Sequence, residues 1–199
     1  MSMTSNKSWG IEPTSEDDLC YVVLYVSRAK DNKSVEGFKE RRKSFICTKE
    51  KIDYYADEQF DHFVEDGLDW EMSRMYISVN PRSMTAIRKQ LMHFMIDNPD
   101  FNLCSIQSKI AGIAATKECA ADKKWLVDFD SSDFALVEEF CNDIRRQDSS
   151  IEKTIHETPN GYGIILSHGL DTRLLMEHWN FVATIKKDDL WCKTWKRKC

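Results

Sequence analysis

The sequence predicts an α/β (α+β) fold: a mixed β-sheet with helices flanking it. Three observations predict this. Short apolar runs rich in β-branched and aromatic residues recur along the 199-residue chain. Segments of helical periodicity lie between several of them, and other runs are joined by tight-turn chemistry. A hydrophobic fraction of 42% and an aromatic fraction of 11% suit a packed core. Residues 1–18 read as a polar lead-in and 19–199 as a single domain, without repeat, low-complexity tract or linker.

The elements follow in order. CYVVLYV, Cys20 to Val26, is nearly continuously apolar and reads as a buried strand. A basic loop leads to a second strand at Ser44–Thr48. Thr48 can cap a helix running to about Asp66, with Ile52, Tyr55, Phe60 and Phe63/Val64 at helical spacing and Gly67 as its stop. Ser73–Asn80 alternates: Met75, Ile77 and Val79 face one way, Arg74, Tyr76, Ser78 and Asn80 the other, and Pro81 ends the strand. Ser83 caps a helix with Ile87, Leu91, Phe94 and Met95 on its core face, closed by Asn98-Pro99. Residues 102–121 suggest another buried helix. WLVDFD, Trp125 to Asp130, is a strand. Ser131 or Ser132 then caps a helix that turns Phe134, Val137, Phe140, Cys141 and Ile144 inward. IEKTIHET and YGIILSH form a hairpin through Pro159-Asn160-Gly161. A short helix starts at Asp171 or Thr172, and FVATIK and LWCKTW close the chain as strands.

A net charge of −5 does not point to nucleic acid as a strongly basic chain would. The basic block from Arg28 to Lys43 and the basic C-terminus read either as solvated faces or as phosphate-facing patches. Seven cysteines form no C-x-x-C motif, and Cys20, Cys104 and Cys141 sit in apolar runs. Buried free thiols in a reducing compartment account for them. The N-terminus lacks a signal-peptide segment, and no apolar run approaches the roughly 20 residues of a membrane span. The expectation is a soluble cytoplasmic protein with no membrane partner.

Asp128 and Asp130 are the sharpest chemical feature. Two apart on a strand, they share a face with their Cα atoms about 7 Å apart. Two hard oxygen ligands so placed can share Mg²⁺ or Mn²⁺, with phosphate oxygens and water completing the shell. The other reading is a solvated strand end before a capped helix. A second constellation is Arg74, Tyr76, Ser78, Asn80 and Arg82, in which arginine can clamp phosphate. A third is TPNGYGIILSHG, Thr158 to Gly169, where Gly161 and Gly163 permit close approach and His168 ends the strand. No helix follows its G-x-G, so it is not a dinucleotide fingerprint. His156 and Thr158 match one H-x-T of the two-histidine phosphoesterases, but the second such motif is absent.

Taken in order, Arg74-Met-Tyr-Ile-Ser-Val-Asn80, Trp125-Leu-Val-Asp-Phe-Asp130, Thr158-Pro-Asn-Gly-Tyr162 and Lys187-Asp-Asp-Leu190 resemble the archaeo-eukaryotic primase (primase-polymerase) superfamily, as found in small proteins of phages and mobile elements. The resemblance spans roughly residues 20–195. It implies a primase-polymerase-like fold and a metal-dependent nucleotidyltransferase site. Asp128 and Asp130 would bind Mg²⁺ or Mn²⁺, and Asp188 or Asp189 would supply a third carboxylate. Arg74, Asn80, Arg82, Tyr162 and His168 would serve the nucleotide. The partners implied are a nucleoside triphosphate and single-stranded nucleic acid, the latter met by the loop at 28–43 and by Trp191 and Trp195. The superfamily has a phosphate-contacting histidine after the G-Y turn; this chain has Gly163. His168, five residues on, points to the opposite face of a regular strand unless a bulge intervenes. The alternative is a catalytically inactive phage-encoded module that binds nucleic acid or a host protein.

Overall fold

In the computed structural model, residues 18–199 are described; the lead-in expected at 1–18 lies, but for Asp18, outside the described residues. The fold is α+β, and its strands form two sheets. The first contains β1 (Leu19–Ser27), β2 (Arg41–Cys47), β3 (Met72–Ser78), β4 (Arg82–Ser83) and β9 (Leu190–Arg197), in the order β2-β1-β3-β9 with β4 beside β1. The second contains β5 (Trp125–Phe129), β6 (Lys153–Thr158), β7 (Gly161–Leu166) and β8 (Ala183–Lys186), in the order β6-β7-β5-β8.

Every strand pairing among the described residues is antiparallel, so the single mixed sheet expected from sequence gives way to two antiparallel ones. The reason lies in the strand-helix-strand units. β2 and β3 are joined through a helical run, but β1 lies between them. β5 and β6 are joined through a helix, but β7 lies between them. Each unit is a split one whose parallel strands never touch.

The first sheet buries one face under the helical run at residues 49–65. Val23, Tyr25, Phe45, Cys47, Met75 and Ile77 meet Phe60, Phe63 and Val64 there. Tyr55–Gln59 within this run is π-helical, and the Tyr25 hydroxyl donates a hydrogen bond of 2.6 Å to the Tyr55 carbonyl. Thr48 makes no side-chain cap bond; the run opens as a 3₁₀ turn.

The opposite face of β1 is shared. Cys20 and Val22 are covered by helices Met84–Asp97 and Ile106–Ala114 through Ile87, Ala111, Ile113 and Ala114. Leu24 and Val26, further along, line a cleft. In the second sheet Val127, Phe129, Ile164, Leu166 and Ala183 pack under helices Phe134–Gln147 and Arg173–Trp179, against Val137, Phe140, Ile144, Leu175 and Trp179. The uncovered faces of the two sheets meet at the cleft.

Several local expectations hold and others do not. Ser83 caps its helix, its Oγ accepting from the Ala86 amide at 3.2 Å. Asp133, not Ser131 or Ser132, caps the helix after β5 and accepts from Ala135 at 2.9 Å. Ser131 Oγ is taken by the Asp133 amide. Phe134 does not enter the core; it is 46% exposed, and its ring rests on Tyr162. The helix expected over 102–121 breaks into Leu103–Ser105, Ile106–Ala114 and Lys117–Cys119, which leaves Cys104 exposed. Gly161 sits at φ +156, where a Cβ would fall 2.2 Å from the Phe129 carbonyl oxygen, so the hairpin closes only with glycine.

One cluster joins the sheets. Asp188, between β8 and β9, accepts from Arg82 Nη1 at 2.7 Å and Nη2 at 2.8 Å, and from Asn80 Nδ2 at 2.9 Å. Asn80 also bonds the backbone of Lys124 in both directions, at 3.0 and 2.8 Å, just before β5. Arg82 is 1% exposed and Asn80 fully buried. Removing one partner of such a pair strands a buried charge, at about 3–5 kcal/mol. Asp188→Ala is therefore expected to lower the unfolding free energy by that order in a urea titration. An effect below about 1 kcal/mol would show that the cluster does not hold the sheets together.

Candidate functional site

The cleft between the sheets has a volume of about 370 Å³, within the size range of small-molecule sites. Strand parity decides what faces it. On the first sheet Leu24 and Val26 of β1 and Arg74 and Tyr76 of β3 point inward, joined by Arg42 of β2 and by Arg28 and Lys30 just after β1. On the second sheet Leu126 and Asp128 of β5, Gly163 of β7 and Lys186 of β8 do so. Thr158 and Asn160 of the hairpin, and Asp130 beyond β5, edge it, and Asp189, Trp191 and Cys192 close it on the β9 side. One wall is mainly cationic; the other carries the aspartates.

Asp128 and Asp130 thus line the same cleft, and Arg74 lines it with them. β5 ends at Phe129, and the Asp130 amide extends its ladder with a 2.7 Å bond to the Val182 carbonyl. Asp128 is partnered: Lys186 Nζ lies 2.9 Å from its Oδ2. Burial pulls the Lys186 ammonium pKa down, but the hydrogen bond and charge of Asp128, with Asp189 behind it, hold it above the ordinary lysine value. Both side chains are more than a third exposed, so the pair is worth at most about 1 kcal/mol. Among the described residues no three His, Cys, Asp or Glu side chains gather as a metal-ligand set.

The other residues singled out from sequence fall elsewhere. Asn80 and Arg82 do not line the cleft; they hold Asp188 behind it, so Asp188 is spent on an ion pair and is not turned to Asp128 and Asp130. Asp189 is the neighbour that reaches the cleft. Tyr162 alternates with Gly163 and turns away from the cleft, packed against the core of the second sheet and against Phe134. His168 is tied to Asp148 at 3.2 Å and to Ser167 at 3.1 Å, away from the cleft. Its hydrogen bond, after those from Ser150, helps hold the Asp148 carboxyl down at about 2. Trp195 stands opposite Arg74 in the β3–β9 ladder.

Sequence reasoning missed Lys186 and Asp31. Lys186 alternates into the cleft only because β8 pairs with β5, an adjacency no local pattern announces. Asp31 accepts from Arg74 at 2.6 Å and from Arg28 at 2.8 Å. Cys192 also lines the cleft, but burial pushes its thiol up to about 11, which keeps it protonated and poorly nucleophilic.

Cross-strand register sets Asp128 opposite Gly163, and Gly163 opposite His156. The His156 ring stacks on Trp191 with centroids 4.2 Å apart and planes at 23°. No protein-family model matches the chain, and no curated protein matches it.

Burial, then the ammonium of Lys193, hold the His156 pKa below its ordinary value. A depressed folded value means that His156 favours the folded state fully above the unfolded histidine pKa of about 6.5. That contribution is lost as pH falls through the lowered folded value. Wild-type protein is therefore expected to lose more melting temperature between pH 7 and pH 5 than His156→Phe, which keeps an aromatic ring against Trp191 and cannot titrate. Equal losses in the two proteins would remove His156 from the acid response.

Proposed function

We propose that this chain is a metal-dependent nucleotide-binding protein, related to primase-type nucleotidyltransferases through a primase-polymerase-like fold, with weak or lost catalysis. One observation carries the reading: Asp128 and Asp130 line one cleft with Arg74, which is distant from them in sequence. Asp128 and Asp130 would hold Mg²⁺ or Mn²⁺, hard cations that take carboxylate, phosphate and water oxygens. When bound, such an ion neutralises charge on a phosphate chain. Arg74 and the basic wall would hold the phosphates. The Lys186 pair is too exposed to withhold Asp128 from a divalent ion. The order of short motifs favours the phage and mobile-element branch of the superfamily.

A second reading keeps the binding and drops the chemistry: a catalytically inactive module for nucleic acid or a host protein. Two features favour it. Lys186 gives Asp128 a cation of the protein's own, and Gly163 stands where the superfamily has a histidine. There is room for a side chain at that position, because a Cβ on Gly163 would meet only Leu126 and Thr158, each at 3.7 Å.

Calorimetric titration with Mn²⁺ and a nucleoside triphosphate tests the first reading. Asp128→Ala is expected to weaken metal-dependent binding by about 100-fold or more, since even residues behind a metal ligand cost 10–100-fold. Lys186→Ala, which frees Asp128, is expected to strengthen Mn²⁺ binding. Heat that is unchanged by Asp128→Ala would sink the metal site. For the second reading, Gly163→His is expected to raise primer synthesis on single-stranded DNA above the wild-type level if the site is a weakened enzyme. No synthesis by either protein, with binding intact, would favour the inactive module.

A further inference from the structure

The cationic wall of the cleft contains an arrangement that the aspartate pair does not explain. Asp31 closes the 3₁₀ turn Ala29–Asp31 directly after β1. Its Oδ1 accepts from Arg74 Nη2 at 2.6 Å, and its Oδ2 accepts from Arg28 Nε at 2.8 Å. The turn itself is locked. Asn32, 2% exposed, donates to the Arg28 and Met72 carbonyls and accepts from the Met72 amide. Asp31 is therefore fixed against β3, and it sets the directions of two guanidinium groups that both line the cleft.

That cluster is unbalanced. Two permanent positive charges share one carboxylate in a setting where the side chains of Asp31 and Arg74 are 9% and 6% exposed. Among the described residues the buried Arg74 Nε has no hydrogen-bond acceptor. Arg28 spends both Nε and Nη2 on the single Asp31 Oδ2, each at 2.8 Å. Buried donors without acceptors are uncommon in folded proteins and call for an explanation. Arg82 Nε is also without an acceptor, but both Arg82 Nη atoms already hold Asp188, so its charge is matched. The arginine pair has a surplus charge. A group with several oxygens and more than one negative charge, held in the cleft that Arg28 and Arg74 line, would balance that charge, and guanidinium groups suit phosphate.

We infer that Arg28 and Arg74 form an anion subsite for a phosphate chain that needs no metal, with Asp31 as its positioning residue. The subsite deepens the nucleotide-binding reading, since it would take the phosphates of the same ligand, but it stands apart from the aspartate pair. The shared chemistry is a chain of phosphates. Its source is a nucleoside polyphosphate or the backbone of a single strand.

The test is calorimetric titration in EDTA with inorganic tripolyphosphate and, separately, with a short oligodeoxythymidine. Tripolyphosphate is expected to bind the wild type. Arg28→Ala should weaken it by about ten-fold or more, and Arg28→Lys, which keeps the charge and loses the fork, should restore only part of the loss. Asp31→Asn gives the discriminating readout. It makes the wall more positive, so a merely electrostatic patch would bind more tightly. A positioning role demands weaker binding by about five-fold or more, the same kind of loss as disturbing a supporting hydrogen bond behind a ligand. Lys33→Ala, exposed in the same basic loop, should change nothing. Far-ultraviolet spectra and melting curves check that each variant folds. Tripolyphosphate binding alone supports a nucleotide source. Added oligonucleotide binding that Arg28→Ala abolishes supports a backbone source for the same subsite. No tripolyphosphate binding, binding indifferent to Arg28→Ala, or tighter binding by Asp31→Asn would overturn it. Loss of Mn²⁺ binding in Asp128→Ala bears only on the metal site, and Asp128→Ala should still bind tripolyphosphate in EDTA.

Discussion

The bond from Arg82 and Asn80 to Asp188 is the constraint on which the cleft depends. The chain passes from the first sheet to the second after β4 and returns between β8 and β9. Both passages meet the first sheet at this cluster: Asn80 and Arg82 come from the turn before β4 and from β4 itself, Lys124 from the end of the outgoing passage just before β5, and Asp188 from the returning one. Backbone bonds from Leu126 to the Lys187 carbonyl and from Val79 to the Asp189 carbonyl, and the packing of His156 on Trp191, add to it. A buried, bidentate ion pair is a weak source of net stability but a strong source of geometric definition. Here it fixes the spacing of two sheets that have separate hydrophobic cores.

That division of labour explains why similar ion pairs carry different weight. Arg82–Asp188 and Arg74–Asp31 are buried and rigid on the arginine side, and each sets a direction. Lys186–Asp128 is exposed on both sides and can be exchanged for another cation at little cost. The cleft thus combines fixed arginines with one loosely held aspartate. The net charge of −5 conceals this, because it does not show that Arg28, Lys30, Arg42 and Arg74 gather at one wall of the cleft. Global charge bears on solubility and steering; local charge decides what a cleft can hold.

The sequence made face and sequential order legible, and left adjacency hidden. β1, β3, β5 and the β6–β7 hairpin stand within a few residues of where alternation and turn chemistry put them, and Ser83 caps as its position suggests. Parity correctly put Asp128 opposite Val127 and Phe129, and Arg74 opposite Met75. Parity says nothing about which strand lies alongside. The mixed sheet failed for that reason: β1 and β7 insert between strands that local pattern would pair. Asn80, Arg82 and Asp188 meet one another and do not line the cleft for the same reason. A polar side chain on the inward face can end in a cleft or against a buried partner, and only the fold decides. Ser131 lost the cap to Asp133 because it serves the Asp133 amide instead.

Gly163 draws these points together. In register it lies between Asp128 and His156, so the row across the second sheet runs from a carboxylate, past a position with no side chain, to a ring stacked on Trp191. Directly paired residues on neighbouring strands project on the same side. The gap at Gly163 therefore opens on the cleft, beside the aspartate that Lys186 holds loosely. A glycine inside a strand gives up packing and adds backbone entropy to the unfolded chain. No neighbour demands it here, since a Cβ would make only ordinary contacts and its φ is not in the left-handed region. Gly161 is fixed by the Phe129 carbonyl; Gly163 is not fixed by anything in the fold. What it does provide is open space in the floor of the cleft between the carboxylate paired with Lys186 and the His156 ring stacked on Trp191, so its place follows from the shape of the cleft and not from the packing of the chain.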